Sequence, residues 1–185
     1  MNVTPHKGNL LIAAPNALND ADFSRSVVLL TEHSEKGSVG FILNKPSDLT
    51  ISDILPEITK DFPIYLGGPV ENENLYFIHN IPHIIKNSIE ISDGIFWGGD
   101  FNILVDLLKN DEINKTNIKF FLGYSGWEAD QLEEEIDIDF WVVSENSEKL
   151  PLFHIAGATI WKDLLMNLGE KYVIWANAPE DPIMN

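Results

Sequence analysis

Cysteine is absent from the 185 residues. That excludes disulfides, thiolate catalysis, iron–sulfur clusters and cysteine-based zinc sites in one step. Positive charge is scarce: twelve Lys and Arg stand against 29 Asp and Glu, the formal net charge is −17, and Arg25 is the only arginine. Lys36, Lys45, Lys60, Lys86, Lys109, Lys115 and Lys119 are scattered singly. A protein that grips nucleic acid neutralises phosphates with clustered Lys and Arg, so direct nucleic-acid binding is disfavoured, as is adhesion to anionic membranes. The excess of acid serves solubility or a basic protein partner. Long apolar runs are lacking too. The stretch from Leu10 to Ala14 is too short to span a bilayer, and no signal-peptide cleavage pattern follows it. The expected location is the cytoplasm, away from any membrane.

What is present is ordinary globular material. The hydrophobic fraction is 44% and the charged fraction 22%, and a chain this long buries roughly 70% of its unfolded surface without a metal or disulfide staple. The length fits one domain over residues 1–185, with no repeat, low-complexity tract or dividing linker. Gly8 to Ala14 reads as a buried strand stopped by Pro15. Ser26 to His33 and Ser38 to Asn44 read as a hairpin around Ser34-Glu35-Lys36-Gly37. Thr50 or Ser52 caps a short helix, and Pro63–Gly67, Asn74–His79, Ser88–Ser92 and Gly94–Gly99 are further strands. Asp100 caps a helix with Phe101, Leu104, Val105, Leu107 and Leu108 on one face, ended by Asn110. A strand is expected over Asn117–Tyr124, a helix over Trp127–Glu135, an alternating strand over Ile136–Val142 and a last helix over Trp161–Leu168. Strands outnumber helices and come in adjacent pairs. The class is α+β, one domain with a largely antiparallel, curved, barrel-like sheet flanked by a few helices.

Each catalytic pattern falls short at a named residue. Gly123-Tyr124-Ser125-Gly126-Trp127 resembles a nucleophile elbow between strand and helix, but Trp127 occupies the place of the second glycine. The alternative to a hydrolase turn is a sharp bend in which Ser125 caps the helix. His79 and His83 have the spacing of a helical metal pair, interrupted by Pro82. On the expected strand Asp137 and Asp139 point the same way, a place for a hard cation or simply a solvated acidic face. Gly67-Gly68 and Gly98-Gly99 match no phosphate-cradling motif. No cofactor and no metal are expected. Arg25, amid Asp20, Asp22 and Ser26, either pairs with a carboxylate or offers its planar fork to an anionic ligand.

Read in order, several segments resemble the YqgE/AlgH family of bacterial proteins. They are Gly8 to Pro15, Phe23 to His33, Gly37 to Pro46, Gly67-Gly68-Pro69-Val70, and Gly123 to Trp127 with Gln131-Leu132-Glu133. The family pattern commonly has Gly before the Gln-Leu pair, where this chain has Asp130. The resemblance implies an α+β fold around a curved sheet and a role as a transcriptional regulator with no agreed catalytic residues. The expected activity is therefore non-enzymatic binding of a small molecule or a protein, acting indirectly on transcription. The alternative is a hydrolase using Ser125, or a cation-dependent enzyme at Asp137 and Asp139. The candidate groove is lined by Arg25, Asn44, Gly67, Gly68, Tyr124, Ser125, Trp127 and Gln131.

Overall fold

Runs of β-branched and aromatic residues, broken by Gly, Pro and Asn, dictate many short strands. A computed structural model describes residues 4–145 and 151–179. In chain order it contains β1 (Leu10–Ala13), β2 (Val27–Ser34), β3 (Gly37–Ile42), β4 (Pro46–Thr50), α1 (Ile51–Ile54), β5 (Pro63–Leu66), β6 (Val70–His79), β7 (Ile89–Ser92) and β8 (Ile95–Trp97). There follow α2 (Phe101–Lys109), β9 (Ile118–Glu128), α3 (Gln131–Asp137), β10 (Trp141–Ser144), α4 (Ala158–Asn167) and α5 (Val173–Ala176).

The ten strands form one sheet with the order β10-β1-β2-β3-β9-β6-β8-β7, to which β5 attaches on β9 and β4 on β5. Every pairing is antiparallel except β5 with β9. The fold is thus α+β with a mostly antiparallel sheet, as expected. The sheet curls without closing, and its β7 edge returns to the chain ahead of β1, where Lys7 Nζ donates to Glu90 O at 2.8 Å.

Strand β9 organises the molecule. Its first half lies between β5 and β6, its second half beside β3. Side chains alternate across a strand, so Phe121 enters a cluster with β1, β2, β3, β10, α3 and α4, while Phe120 enters a second with α2, β5 and β6. With both faces covered, the strand reads as the unbroken run Ile118-Lys119-Phe120-Phe121-Leu122 instead of an alternating one. Helix α4 is fixed on β1 by Trp161, buried, with its indole N–H donating to Ala13 O at 2.8 Å.

The hairpin β2–β3 and the helix α2 with its Asp100 cap lie where the sequence puts them, and of the two caps offered for α1 the structure uses Thr50, in a capping box with Asp53. Three expectations are corrected. Gly123–Trp127 lies inside β9, so the helix begins at Gln131, not Trp127. The expected strand over Ile136–Val142 is instead the end of α3, a left-handed turn at Asp139 (φ 56°) and then β10. A further strand, β4, begins at Pro46, which pairs along an edge where its missing N–H costs nothing. Among the described residues no helix is long and apolar enough to cross a membrane.

Candidate functional site

Asn44 follows β3 and is buried, with each side-chain group engaged. Its Oδ1 accepts from Val27 N at 2.8 Å, and its Nδ2 donates to Arg25 O at 3.0 Å and Gly157 O at 3.1 Å. Its own carbonyl accepts from Gly157 N at 2.9 Å. One amide therefore fastens the start of β2, the end of β3 and the turn into α4. An asparagine suits the place because it supplies an acceptor and two donors at one point.

This fastening leaves a cleft of ≈ 400 Å³ lined by Ser24, Arg25, Asn44, Lys45, Pro46, Leu66, Gly157 and Ala158. That volume lies within the range of small-molecule pockets. Arg25 is half-buried in a left-handed conformation (φ 56°). Its guanidinium lies 5.0 Å from the Trp161 ring centroid, and Nη2 donates to Ala178 O at 2.7 Å and Pro179 O at 3.0 Å. The expected partner, a carboxylate, is replaced by two backbone carbonyls and an indole face; Asp20 instead caps the Asp22 and Phe23 N–H groups. Lys45 donates to the backbone carbonyl of Asp22. Burial lowers its pKa, opposed by the nearby Asp22 and Asp20 carboxylates. Neither Arg25 nor Lys45 has an ion-pair partner among the described residues.

The remaining candidate residues gather at two other places. Ser125 is fully buried, and its hydroxyl donates to Gly67 O at 3.0 Å. Gly68 (φ 153°) and Gly123 (φ 67°) let the β5–β6 turn cross β9: a Cβ on Gly68 would stand 2.3 Å from the Tyr124 carbonyl, and one on Gly123 2.5 Å from Gly68 O. Tyr124 meets Tyr76 edge to face at 5.7 Å. Trp127 is buried and stacks on Phe23 at 6.2 Å. Its indole N–H and that of Trp141 both donate to Glu135 Oε2, at 2.8 and 2.7 Å. Gln131 completes the carboxylate's shell, donating to Glu135 Oε1 at 2.9 Å. Only Arg25 and Asn44 of the expected groove line the cleft.

Asp137 ends α3 and Asp139 sits in the following left-handed turn, so they are not strand neighbours facing one way. Among the described residues no three His, Asp or Glu are grouped to hold a metal ion. His79 is buried in β6, with Nε2 3.1 Å from Gly98 O and Nδ1 accepting from Ile81 N at 3.2 Å. Burial lowers its pKa, and it ends β6 whereas His83 lies in the turn that follows, so the two are not on one helix.

Three features escape sequence reading. Lys45 carries no signal beyond standing next to Asn44. Ser38 Oγ lies 2.8 Å from His33 Nδ1, and His33 Nε2 3.5 Å from Glu133 Oε1, a chain across β3, β2 and α3 that no sequence spacing marks. Ser38 is buried there, and the contacts tie α3 to the sheet. Lys119, on β9, is 2% exposed, lies 3.5 Å from the Tyr65 ring centroid and donates to Ile155 O. Burial lowers its pKa to about 7.

Comparison with known proteins places the chain among relatives of similar length. A family model described as AlgH-like matches residues 10–173. A UPF0301 protein of Parabacteroides distasonis is 43% identical over 99% of this chain and 93% of its own length, and one of Cytophaga hutchinsonii is 41% identical over 97% and 98%. The solution structure of AlgH from Pseudomonas aeruginosa superposes with a TM-score of 0.71 at 25% identity, covering 97% of this chain and 98% of that one. A crystal structure from Corynebacterium diphtheriae shares the fold, with a TM-score of 0.76 at 23% identity over 96% and 95% of the two chains. The chain belongs to the AlgH-like, UPF0301 family.

Proposed function

We propose that the protein is a non-enzymatic binding module of the cytoplasm. Its cleft beside Arg25 takes a small anionic ligand, and it acts on transcription indirectly, through another protein. One observation carries the reading: in a chain of net charge −17, the only arginine and the half-buried Lys45 line the same ≈ 400 Å³ cleft, and neither is ion-paired among the described residues. Nη2 of Arg25 is held by Ala178 and Pro179, which leaves the rest of the planar fork for a carboxylate or phosphate. An anion would also offset the cost of burying Lys45 beside it. Leu66 and Pro46 supply the apolar wall such pockets use. The hydrolase reading draws less support, because the Ser125 hydroxyl is turned inward onto Gly67 O.

The test is calorimetric titration with a panel of small carboxylates and phosphates, on the wild type and on Arg25→Gln and Lys45→Gln. Loss of one charge-assisted contact should weaken binding about tenfold or more. Far-ultraviolet circular dichroism checks that each variant keeps its fold. Absence of heat with every anion, or unchanged affinity in both variants, rejects the cleft.

A further inference from the structure

Helix α5 is short, and its apolar residues outnumber the positions that face the interior. Tyr172 and Ala176 pack inward, leaving Val173 41%, Ile174 78% and Trp175 43% exposed. Three consecutive residues span about 200° of a helix, so the chain's own core cannot receive all of them. Across a notch of ≈ 260 Å³ stands the turn after α3, where Ile138 is 60% exposed. The notch brings Asp139 against Lys171, Tyr172 and Trp175, with Pro15 and Asn16 as its floor; Asn16 Nδ2 donates to Ile138 O at 2.5 Å and so holds the turn in place. Ile138 is thus an outward-facing apolar residue on a secured backbone.

Its rim is acidic. Asp137 and Asp139 flank Ile138 in sequence, Glu134 O accepts the Ile138 N–H at 3.2 Å, and all three carboxylates are solvent-exposed. One cation, Lys171, faces Asp139, and its pKa is raised chiefly by its contact with the Tyr172 phenol. Exposed apolar side chains on the two sides of a notch, with a predominantly acidic rim, mark a protein contact. We infer that α5 and the Ile138 turn form a docking surface for a basic amphipathic segment of another protein, its aliphatic face on Ile138, Ile174 and Trp175 and its Lys or Arg side chains on Glu134, Asp137 and Asp139. A second copy of this chain fits poorly, because it would bring the same carboxylates, and a net charge of −17, against themselves. The surface is separate from the cleft beside Arg25 and does not depend on it.

The probe is a labelled 18-residue peptide of Leu and Lys in helical amphipathic spacing, titrated by fluorescence anisotropy against the full chain. A Ser/Lys peptide of equal charge is the control. Saturable binding of the Leu/Lys peptide is expected, at least fivefold tighter than the control. Ile138→Ser and Ile174→Ser should each weaken it at least fivefold. Asp137→Asn with Asp139→Asn should weaken it at least threefold more than Asp48→Asn with Glu112→Gln, which removes two exposed charges elsewhere. Equal loss in the two double variants, or indifference to Ile174→Ser, reduces the contact to bulk charge and overturns the proposal. A dimer in gel filtration that Ile174→Ser dissolves assigns the patch to a second copy and overturns it as well. Binding seen only after residues 180–185 are deleted assigns the patch to the chain's own tail, with the same consequence.

Discussion

Lys119, the second residue of β9, projects its amino group into the apolar side of the sheet, where Ile155 O and the Tyr65 ring face are its partners and no carboxylate is within ion-pair distance among the described residues. Desolvation holds its pKa near 7 in the folded chain, against 10.5 for the free side chain. Above pH 10.5 the amine is neutral in both states and costs nothing. As the pH falls from 10.5 towards 7, the unfolded chain takes up the proton and the folded one does not, so stability declines throughout that window. Below about 7 both states are protonated and the penalty is complete. Lys119→Met should therefore stabilise the protein by roughly 1–3 kcal/mol at pH 7, since an apolar side chain of similar length fills the space at the loss of one hydrogen bond. Urea unfolding at pH 7 and pH 9.5 is the measurement. The advantage of the variant should shrink at the higher pH, and a gain that is constant across the window would show that packing, not protonation, is responsible.

At the level of elements, the paired motifs Gly67-Gly68 and Gly123-to-Trp127 have one explanation. The β5–β6 turn passes over β9 so closely that side chains at the crossing are excluded on both strands. Gly123→Ala forces a left-handed residue and places its Cβ 2.5 Å from Gly68 O and 2.8 Å from Val70 O. The expected loss is roughly 3 kcal/mol, or about 10 °C in Tm for a chain this size. Gly94→Ala is also left-handed (φ 80°) but meets nothing within 4 Å, so it should cost only about 1 kcal/mol; equal losses would deny the crossing its role. The same crossing explains what was legible in the sequence and what was not. The hairpin, α2 and most strands announce themselves because local turn chemistry and apolar spacing agree with the fold. Glycines around Ser125 look like a strand-to-helix turn because left-handed freedom and close approach select the same residue. Asp130 and Asp139 occupy left-handed positions (φ 65° and 56°), conformations that Asp tolerates without a glycine to mark them. Asp130, just before Gln131, thus takes up without a glycine a backbone shape that favours glycine. Arg25 stands out in the sequence because it is the only arginine, whereas Lys45 and Gly157 reach the cleft through tertiary contacts that spacing does not encode.

At the scale of the whole molecule, charge is the dominant unbalanced force. Twenty-nine acidic residues face twelve basic ones, and the lysine–carboxylate pairs among the described residues are two exposed contacts, Lys60–Asp111 and Lys109–Glu57. Exposed pairs contribute about 0–1 kcal/mol each, so repulsion among the remaining carboxylates outweighs them in the compact state. Repulsion between surface carboxylates is long-ranged at low salt, where the screening length is about 30 Å at 0.01 M, and is largely cut off at 0.15 M, where it is about 8 Å. Sodium chloride should therefore raise Tm by several degrees between about 10 and 300 mM, most of the rise falling below about 150 mM where the screening length changes fastest. Using chloride in place of sulfate keeps general exclusion effects small. The reverse result, a Tm that falls as salt is added, would mean that attractive pairs dominate and that the acidic surface is already compensated within the fold. In that case the carboxylate rim around Ile138 would lose its claim on a basic partner, because its charge would be spent internally. A rise in Tm leaves those carboxylates uncompensated, and an uncompensated acidic rim around exposed apolar side chains is the condition under which docking a basic segment lowers the free energy of both surfaces.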